Sequence, residues 1–375
     1  MARVLVFVMD SAGVGALPDA DTYGDAPRAN TIGNVAERLG GLTLPNFERL
    51  GLGRITPVRG VAAVDRPLAA VGRLREQSKG KDTITGHWEM AGIITEVPFP
   101  TYPDGFGPEV VEAFTRICGR APLGNFPASG TDIIDALGEE HQKTGRPILY
   151  TSADSVFQVA AHETTVPLPT LYDWCERARV MLVPPNAVNR VIARPFVGTP
   201  GKYVRTPNRR DYALPPPPSI LDRLAGVGIP VHAVGKICDI YCGQGIASSL
   251  RVVDNTDAVS KAIELADATD HGFIFVNLND FDSKYGHRRN VRGYGDALER
   301  LDSQIPAILE RIRPGDSVIF TADHGCDPTA PGSDHTREFV PFIEYGAAAG
   351  GDVGTIEGMA HVGARVATVL EAVRV

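Results

Sequence analysis

The chain has 375 residues, with 37 lysines and arginines against 45 aspartates and glutamates, giving a formal charge of −8. That balance argues against a general nucleic-acid or membrane-surface binder, because both polyanions favour a basic protein face. With 43% hydrophobic and 22% charged residues, the composition is that of a globular protein, and the length allows about two or three domain-sized units.

Residues 4–9 form a continuous apolar, β-branched run directly behind Met1-Ala2-Arg3, and Asp10 interrupts it long before a signal-peptide core is reached. The run reads as a buried parallel strand that delivers a carboxylate at its carboxyl end. No uncharged run in the chain approaches the ~18 residues of a membrane span. A cytoplasmic protein with no membrane partner is therefore expected. The cysteines Cys118, Cys175, Cys238, Cys242 and Cys326 are an odd, scattered set that implies no disulfide framework, and Cys238 and Cys242 lack a second pair at zinc-site spacing.

Further along lies Gly80-Lys81-Asp82-Thr83-Ile84-Thr85-Gly86-His87-Trp88-Glu89. A threonine hydroxyl is a poor nucleophile at neutral pH, and direct metal coordination is one of the few ways to activate it without an adjacent histidine base. The flanking glycines are expected to leave space for an anion. Read locally, Asp-Thr-Ile-Thr-Gly is also an ordinary capped loop.

Residues 96–218 differ in character. This stretch is punctuated by prolines and closes on four in succession at 215–218, which cannot lie inside a helix or a central strand and suit a semi-rigid linker. The expected organisation is a core of residues 1–95 and 217–375 with an inserted cap of residues 96–216. Past the linker, residues 229–234 and the helical pattern at 257–268 return to α/β character. Two further apolar strands follow, at 272–279, leading into Asp280-Phe281-Asp282, and at 317–322, leading into Asp323-His324-Gly325. Between them Leu298, Leu301, Ile305, Ile308, Leu309 and Ile312 recur at helical spacing. Strand, helix, strand is the parallel crossover unit, and ligands in such sheets bind beyond the carboxyl ends of the strands.

Asp10, Asp282, His287, Asp323, His324 and His335 all fall at strand ends or in adjoining loops. Any one of them alone is more often a turn cap or a satisfied polar residue. Together they form a carboxylate and imidazole set suited to hard or borderline divalent ions such as Mn²⁺, Mg²⁺ or Zn²⁺, with enough donors for two.

The loop around Thr83, the stretch 282–289, Ala322-Asp323-His324-Gly325 and Asp334-His335-Thr336-Arg337-Glu338, taken in this order, closely resemble the phosphopentomutase family of the alkaline phosphatase superfamily. The resemblance extends through Val8-Met9-Asp10-Ser11, Pro127-Ala128-Ser129-Gly130-Thr131, residues 150–155, residues 194–198 and Arg205-Thr206-Pro207-Asn208, and so spans nearly the whole chain. It implies an alkaline-phosphatase-like α/β core, a mainly parallel sheet flanked by helices, with an inserted α/β cap. It further implies a two-Mn²⁺ isomerase that interconverts ribose 1-phosphate, and the 2-deoxyribose analogue, with the 5-phosphate in nucleoside catabolism.

By match to the family's motifs, Asp282, His287 and His335 would bind one ion and Asp10, Asp323 and His324 the other. Thr83 would carry the phosphoryl group after priming by a sugar bisphosphate such as glucose 1,6-bisphosphate. Asp154, Arg190, Arg205 and Lys236 would contact the sugar phosphate, while Arg194 serves equally well as a structural tie. A monomer is expected, with small pentose phosphates and no nucleic acid as partners. Two departures stand out: Cys326 where asparagine is expected, and a short segment after the helical stretch 361–373. Another two-metal phosphoryl-transfer enzyme on the same core, a phosphoglycerate mutase or a phosphatase, is the nearest rival; a non-catalytic sugar-phosphate binder is a more distant one.

Overall fold

A computed structural model describes residues 2–152 and 155–371. The chain divides into two compact units, one made of residues 1–97 and 216–375 and the other of residues 98–215. The second junction falls within the proline run, where residues 214–217 have no regular structure.

The first unit is built on an eight-stranded sheet. Its spatial order is Ser248–Leu250, Val231–Val234, Gly272–Asn277, Arg3–Val8, Ser317–Thr321, Val340–Gly346, Ala70–Arg75 and Gly351–Glu357. Only Val340–Gly346 pairs antiparallel to its neighbours, so the sheet is mainly parallel, as the α/β reading expects. Arg3–Val8, Gly272–Asn277 and Ser317–Thr321 are buried at every position, which is why they read as unbroken apolar runs rather than as alternating ones. Register matters more than composition here. Val8 pairs with both Asn277 and Thr321, so the three strands end level and release their acidic turns along one rim.

Helix Val291–Leu309 buries Leu298, Leu301, Ile305 and Ile308, close to the expected span. Helix His361–Glu371 buries Val362, Val366 and Leu370; the expected end at Val373 lies outside the described residues. A buried Arg3–Asp316 pair at 2.6 Å ties the start of the first strand to the loop before Ser317–Thr321. Among the described residues no helix is long and apolar enough to cross a membrane.

The second unit has a six-stranded sheet in which Leu123–Pro127, Ile148–Thr151, Val156–His162, Arg190–Val197 and Val204–Arg205 lie in order, with Arg210–Ala213 also paired to Arg190–Val197. Period-two alternation sends Phe157, Val159, Ala161, Val191 and Ala193 into one hydrophobic cluster with Phe114, Leu171 and Trp174, from helices Pro108–Cys118 and Leu168–Met181. Ala160 and Phe196 join a second cluster with Ile133 and Ile134 of helix Asp132–Thr144. The sheet is thus covered by helices on both faces.

Candidate active site

Asp10 leaves Arg3–Val8 in a sharp turn. Ser11 adopts φ 79°, a left-handed conformation that costs a non-glycine residue free energy unless its surroundings enforce it, and it uses its N–H to bind Asp323 Oδ1 at 3.0 Å. Asn277, the last residue of its strand, donates from Nδ2 to Asp10 Oδ2 at 2.7 Å. Each of these two carboxylates therefore has one oxygen hydrogen-bonded by the protein; the other oxygen of Asp10 is left over, and that of Asp323 has the ionic contact of His87 Nδ1 at 3.1 Å. Asp10 Oδ1, Asp282 Oδ1, Asp323 Oδ2 and His335 Nε2 are buried and have no hydrogen-bond partner among the described residues.

These leftover atoms converge. His324 Nε2 lies 3.5 Å from Asp10 Oδ1 and 3.4 Å from Asp323 Oδ2. Asp282 has His287 Nε2 at 3.3 Å from one oxygen and His335 Nε2 at 3.4 Å from the other. Among the described residues, triads with donor atoms within 4.8 Å of one another are Asp10, Asp323 and His324; Asp282, His324 and His335; and Asp282, His287 and Cys326. All six residues singled out by strand-end position come together. The first triad is the set expected for one ion, whereas His335 and His287 fall into separate triads that share Asp282.

The electrostatics are those of a site short of positive charge. Burial, with the charges of Asp323 and Asp282 behind it, pushes Asp10 up to about 8. Burial also opposes ionisation of Asp323, but His324 and His87 hold it down to about 2. Three buried carboxylates sharing a few imidazoles are costly unless cations join them, and orphaned oxygen and nitrogen lone pairs pointing at one another are what divalent ions require. The donor set fits.

Thr83 opens helix Thr83–Met90, capped by Asp82 through the backbone N–H groups of Ile84 and Thr85 at 3.1 and 3.2 Å. Its Oγ1 lies 3.2 Å from His324 Nε2, and its carbonyl accepts from His87 Nδ1 at 2.8 Å. The glycines flanking this loop do not leave room for an anion, contrary to the sequence expectation. A Cβ on Gly86 would fall 2.1 Å from the Asp323 carbonyl oxygen, and one on Gly80 would fall 2.7 Å from Thr85 Oγ1. Gly86 lets the helix pack closely on the strand end at Asp323, and Gly80 lets the loop pack on the Thr85 side chain.

Behind the loop, buried Arg337 reaches Glu76 at 2.6 Å, the Ser78 and Gly80 carbonyls at 2.8 and 2.7 Å, and Asp19 at 3.1 Å. Lys81 bridges Asp25 at 2.8 Å and Asp334 at 3.0 Å. Sequence patterns alone do not single out Ser11, Asn277 or Arg337. A polar residue closing an otherwise apolar strand is a signal that could reveal Asn277; Arg337 acts across more than 250 positions and carries no local signal. Lys236 follows strand Val231–Val234, and its charge lowers the Asp10 pKa.

In the second unit Arg190 and Arg205 line a cavity of about 290 Å³ together with Arg194, Arg209, Tyr150 and Ser129. Arg190, Ile192 and Arg194 point to one face by strand alternation. Asp211 neutralises part of the charge, at 2.6 Å from Arg209 and 3.4 Å from Arg190, while Arg194 donates to Gln158 at 3.1 Å. Buried Arg205 Nε and Tyr150 Oη have no partner among the described residues. Asp154, the remaining expected contact, lies outside the described residues.

A fold of this kind, with paired acidic and imidazole clusters at the strand ends, defines a metal-dependent enzyme, and residues 2–373 match the model of the Metalloenzyme superfamily. The chain is 54% identical over 369 residues to a phosphopentomutase of Anaeromyxobacter sp. strain K, covering 97% of this chain and 94% of that one. It is 55% identical over 346 residues to a phosphopentomutase of Caldanaerobacter subterraneus, covering 92% and 88%. Among solved structures, the PH0037 protein of Pyrococcus horikoshii aligns over 99% of this chain and 97% of its own with a TM-score of 0.52 at 14% identity, a likeness of fold alone. The chain belongs to the phosphopentomutase family.

Proposed function

We propose that the enzyme interconverts ribose 1-phosphate, and 2-deoxyribose 1-phosphate, with the corresponding 5-phosphate through a phosphothreonine at Thr83 and a sugar bisphosphate intermediate. The observation that carries this reading is the position of the Thr83 hydroxyl, 3.2 Å from His324 Nε2, in a family member where Asp10 Oδ1, Asp282 Oδ1 and His335 Nε2 are buried with no hydrogen-bond partner among the described residues. Asp282, His287 and His335 would hold one divalent ion and Asp10, Asp323 and His324 the other, Mn²⁺ by preference and Mg²⁺ or a similar ion in its place. When bound, such a pair supplies charge stabilisation to both the entering and the leaving oxygen of an in-line transfer.

The remaining work falls to the chain. The Oγ1–P bond of phosphothreonine breaks as the free hydroxyl of the sugar monophosphate bonds to phosphorus; that hydroxyl loses its proton and Thr83 gains one. The bisphosphate turns, and its other phosphate returns to Thr83 by the reverse exchange, so water is not consumed and inorganic phosphate is not released. Thr83 stands in the first turn of its helix, where the dipole favours the added negative charge. His87, fixed by its bond to the Thr83 carbonyl, keeps that turn in place.

Residues 96–216 would act as a cap that excludes water from the phosphoenzyme. Within it Arg190 and Arg205, with Asp154, would grip the sugar phosphate, and Lys236 would do so from the core; forked guanidinium contacts suit a phosphate. Priming by glucose 1,6-bisphosphate, a monomeric state and a place in cytoplasmic nucleoside catabolism and pentose salvage complete the proposal. Ribose 5-phosphate incubated with the enzyme, Mn²⁺ and a priming bisphosphate should give ribose 1-phosphate without free phosphate. Phosphate release without isomerisation would replace the mutase with a phosphatase.

A further inference from the structure

Cys326 follows the Asp323-His324-Gly325 turn and is fully buried. Its N–H is held by the Ser11 carbonyl at 3.1 Å and by Thr31 Oγ1 at 3.2 Å, which fixes the backbone and aims the side chain. The sulfur lies 3.6 Å from the Asp334 carbonyl oxygen and within hydrogen-bonding reach of His287. It shares a triad with Asp282 and His287, the donor atoms of all three lying within 4.8 Å of one another.

A tetrahedral ion with bonds of about 2.0–2.3 Å needs donors roughly 3.5 Å apart. Asp282 Oδ2 and His287 Nε2 already stand at 3.3 Å, so a modest side-chain adjustment would bring the sulfur in. The His287 ring is oriented to match, because Nδ1 donates to the Ser333 carbonyl at 2.7 Å and leaves the Nε2 lone pair facing the triad, the usual outer support of a metal-bound imidazole. Independently of the cysteine, Asp282, 4% exposed, has an Oδ1 with no hydrogen-bond partner among the described residues, turned on the same side of the site toward His335 Nε2 at 3.4 Å. Gly286 completes the fit, since a Cβ there would press to 2.9 Å from the sulfur.

We propose that Cys326 Sγ joins Asp282 and His287 as a ligand of the ion on that side of the site. Against the Mn²⁺ preference given above for both ions, the resulting oxygen, nitrogen and sulfur donor set shifts this one position toward a thiophilic ion such as Co²⁺ or Zn²⁺. This rests on the two-ion reading above and adds a ligand to it. On binding, the S–H bond breaks, sulfur donates the freed electron pair to the cation and the proton leaves to solvent; no redox change is involved.

The test uses the full chain, stripped of metal under reducing conditions and titrated with Co²⁺. Thiolate ligation gives an intense near-ultraviolet sulfur-to-cobalt charge-transfer band, separate from the weaker visible d–d bands that any ligand set produces. The band is expected in the parent protein and is expected to vanish in Cys326→Ser with the d–d bands retained. Co²⁺ affinity at this site should fall about 10- to 100-fold, the scale seen when a metal site loses a supporting group, with Mn²⁺ affinity unchanged. X-ray absorption of the Co²⁺-loaded parent protein should show one sulfur neighbour, a readout that needs no variant to fold. Full d–d bands without a charge-transfer band or sulfur shell overturn the thiolate ligand and leave the two-ion reading intact. Absence of any cobalt spectrum overturns both. A charge-transfer band that survives in Cys326→Ser transfers the sulfur to another cysteine and also refutes the proposal.

Discussion

The two units collect opposite charges by the same structural means. At the rim of the first sheet, strands ending in register bring together Asp10, Asp282 and Asp323 with His324 and His335, and the surplus is negative. In the second unit, alternation along Arg190–Val197 turns Arg190 and Arg194 toward Arg205 and Arg209, and the surplus is positive. Both leave buried polar atoms without hydrogen-bond partners among the described residues, carboxylate oxygens and an imidazole nitrogen in one, a guanidinium nitrogen and a tyrosine hydroxyl in the other. On the proposed reading, the contrast matches cations to the strand ends of the core and the substrate phosphate to the arginine cavity.

The sharpest way to break this contrast is at Thr83. Thr83→Ala should lower mutase turnover by about 10⁴-fold or more, as loss of a covalent nucleophile does, while leaving thermal stability and metal content unchanged; turnover retained in the variant would remove the assigned carrier.

Chelation should act on the core alone. Ions that bind only the folded state stabilise it by about 2.7 kcal/mol at a hundredfold excess over Kd, so removing them should lower the unfolding temperature and abolish activity, both recovering on Mn²⁺ addition. Loss of activity with no change in calorimetric stability would show that the carboxylates do not depend on the ions for their place in the fold.

Arg205→Ala tests the opposite pole. A hydrogen bond to a charged group contributes about 1.5–3 kcal/mol, so the KM for the sugar phosphate should rise roughly 10- to 100-fold, with a smaller rise for Arg194→Ala because Gln158 already engages that side chain. Equal effects in steady-state kinetics would make Arg194 a full partner.

The smallest effect concerns His141 of the second unit, buried with Nδ1 donating to the Arg146 carbonyl at 2.6 Å and Nε2 accepting from the His162 N–H at 2.8 Å. Burial holds its pKa below the ordinary 6.5. The folded chain keeps the ring neutral where the unfolded chain would take up a proton, so the stability it contributes is complete above pH 6.5 and is lost as pH falls from there through the lower folded value. Thermal unfolding followed across this window should show a drop that is reduced in His141→Gln.

How much of this is legible in the sequence depends on how local each signal is. Strands Arg3–Val8, Gly272–Asn277 and Ser317–Thr321 declare themselves because burial on both faces makes each an uninterrupted apolar run, and their terminal acids point to the donors. Gly351–Glu357 gives no such sign; it is a largely exposed edge strand held by pairing with Ala70–Arg75, far away in the chain. Ser11 and Arg337 are silent for a related reason, since their importance lies in partners that only folding supplies. The Thr83 loop is recognisable by its motif, yet its glycines mislead, because close backbone packing and open space for a ligand leave the same mark on a sequence.

The decisive question is what Thr83 becomes during turnover. Intact-protein mass spectrometry of the Mn²⁺-loaded enzyme before and after exposure to glucose 1,6-bisphosphate, with peptide mapping, should show one added phosphoryl group on the peptide carrying Thr83, removed again by ribose 5-phosphate. A phosphoryl group mapped to any other residue would contradict the assignment.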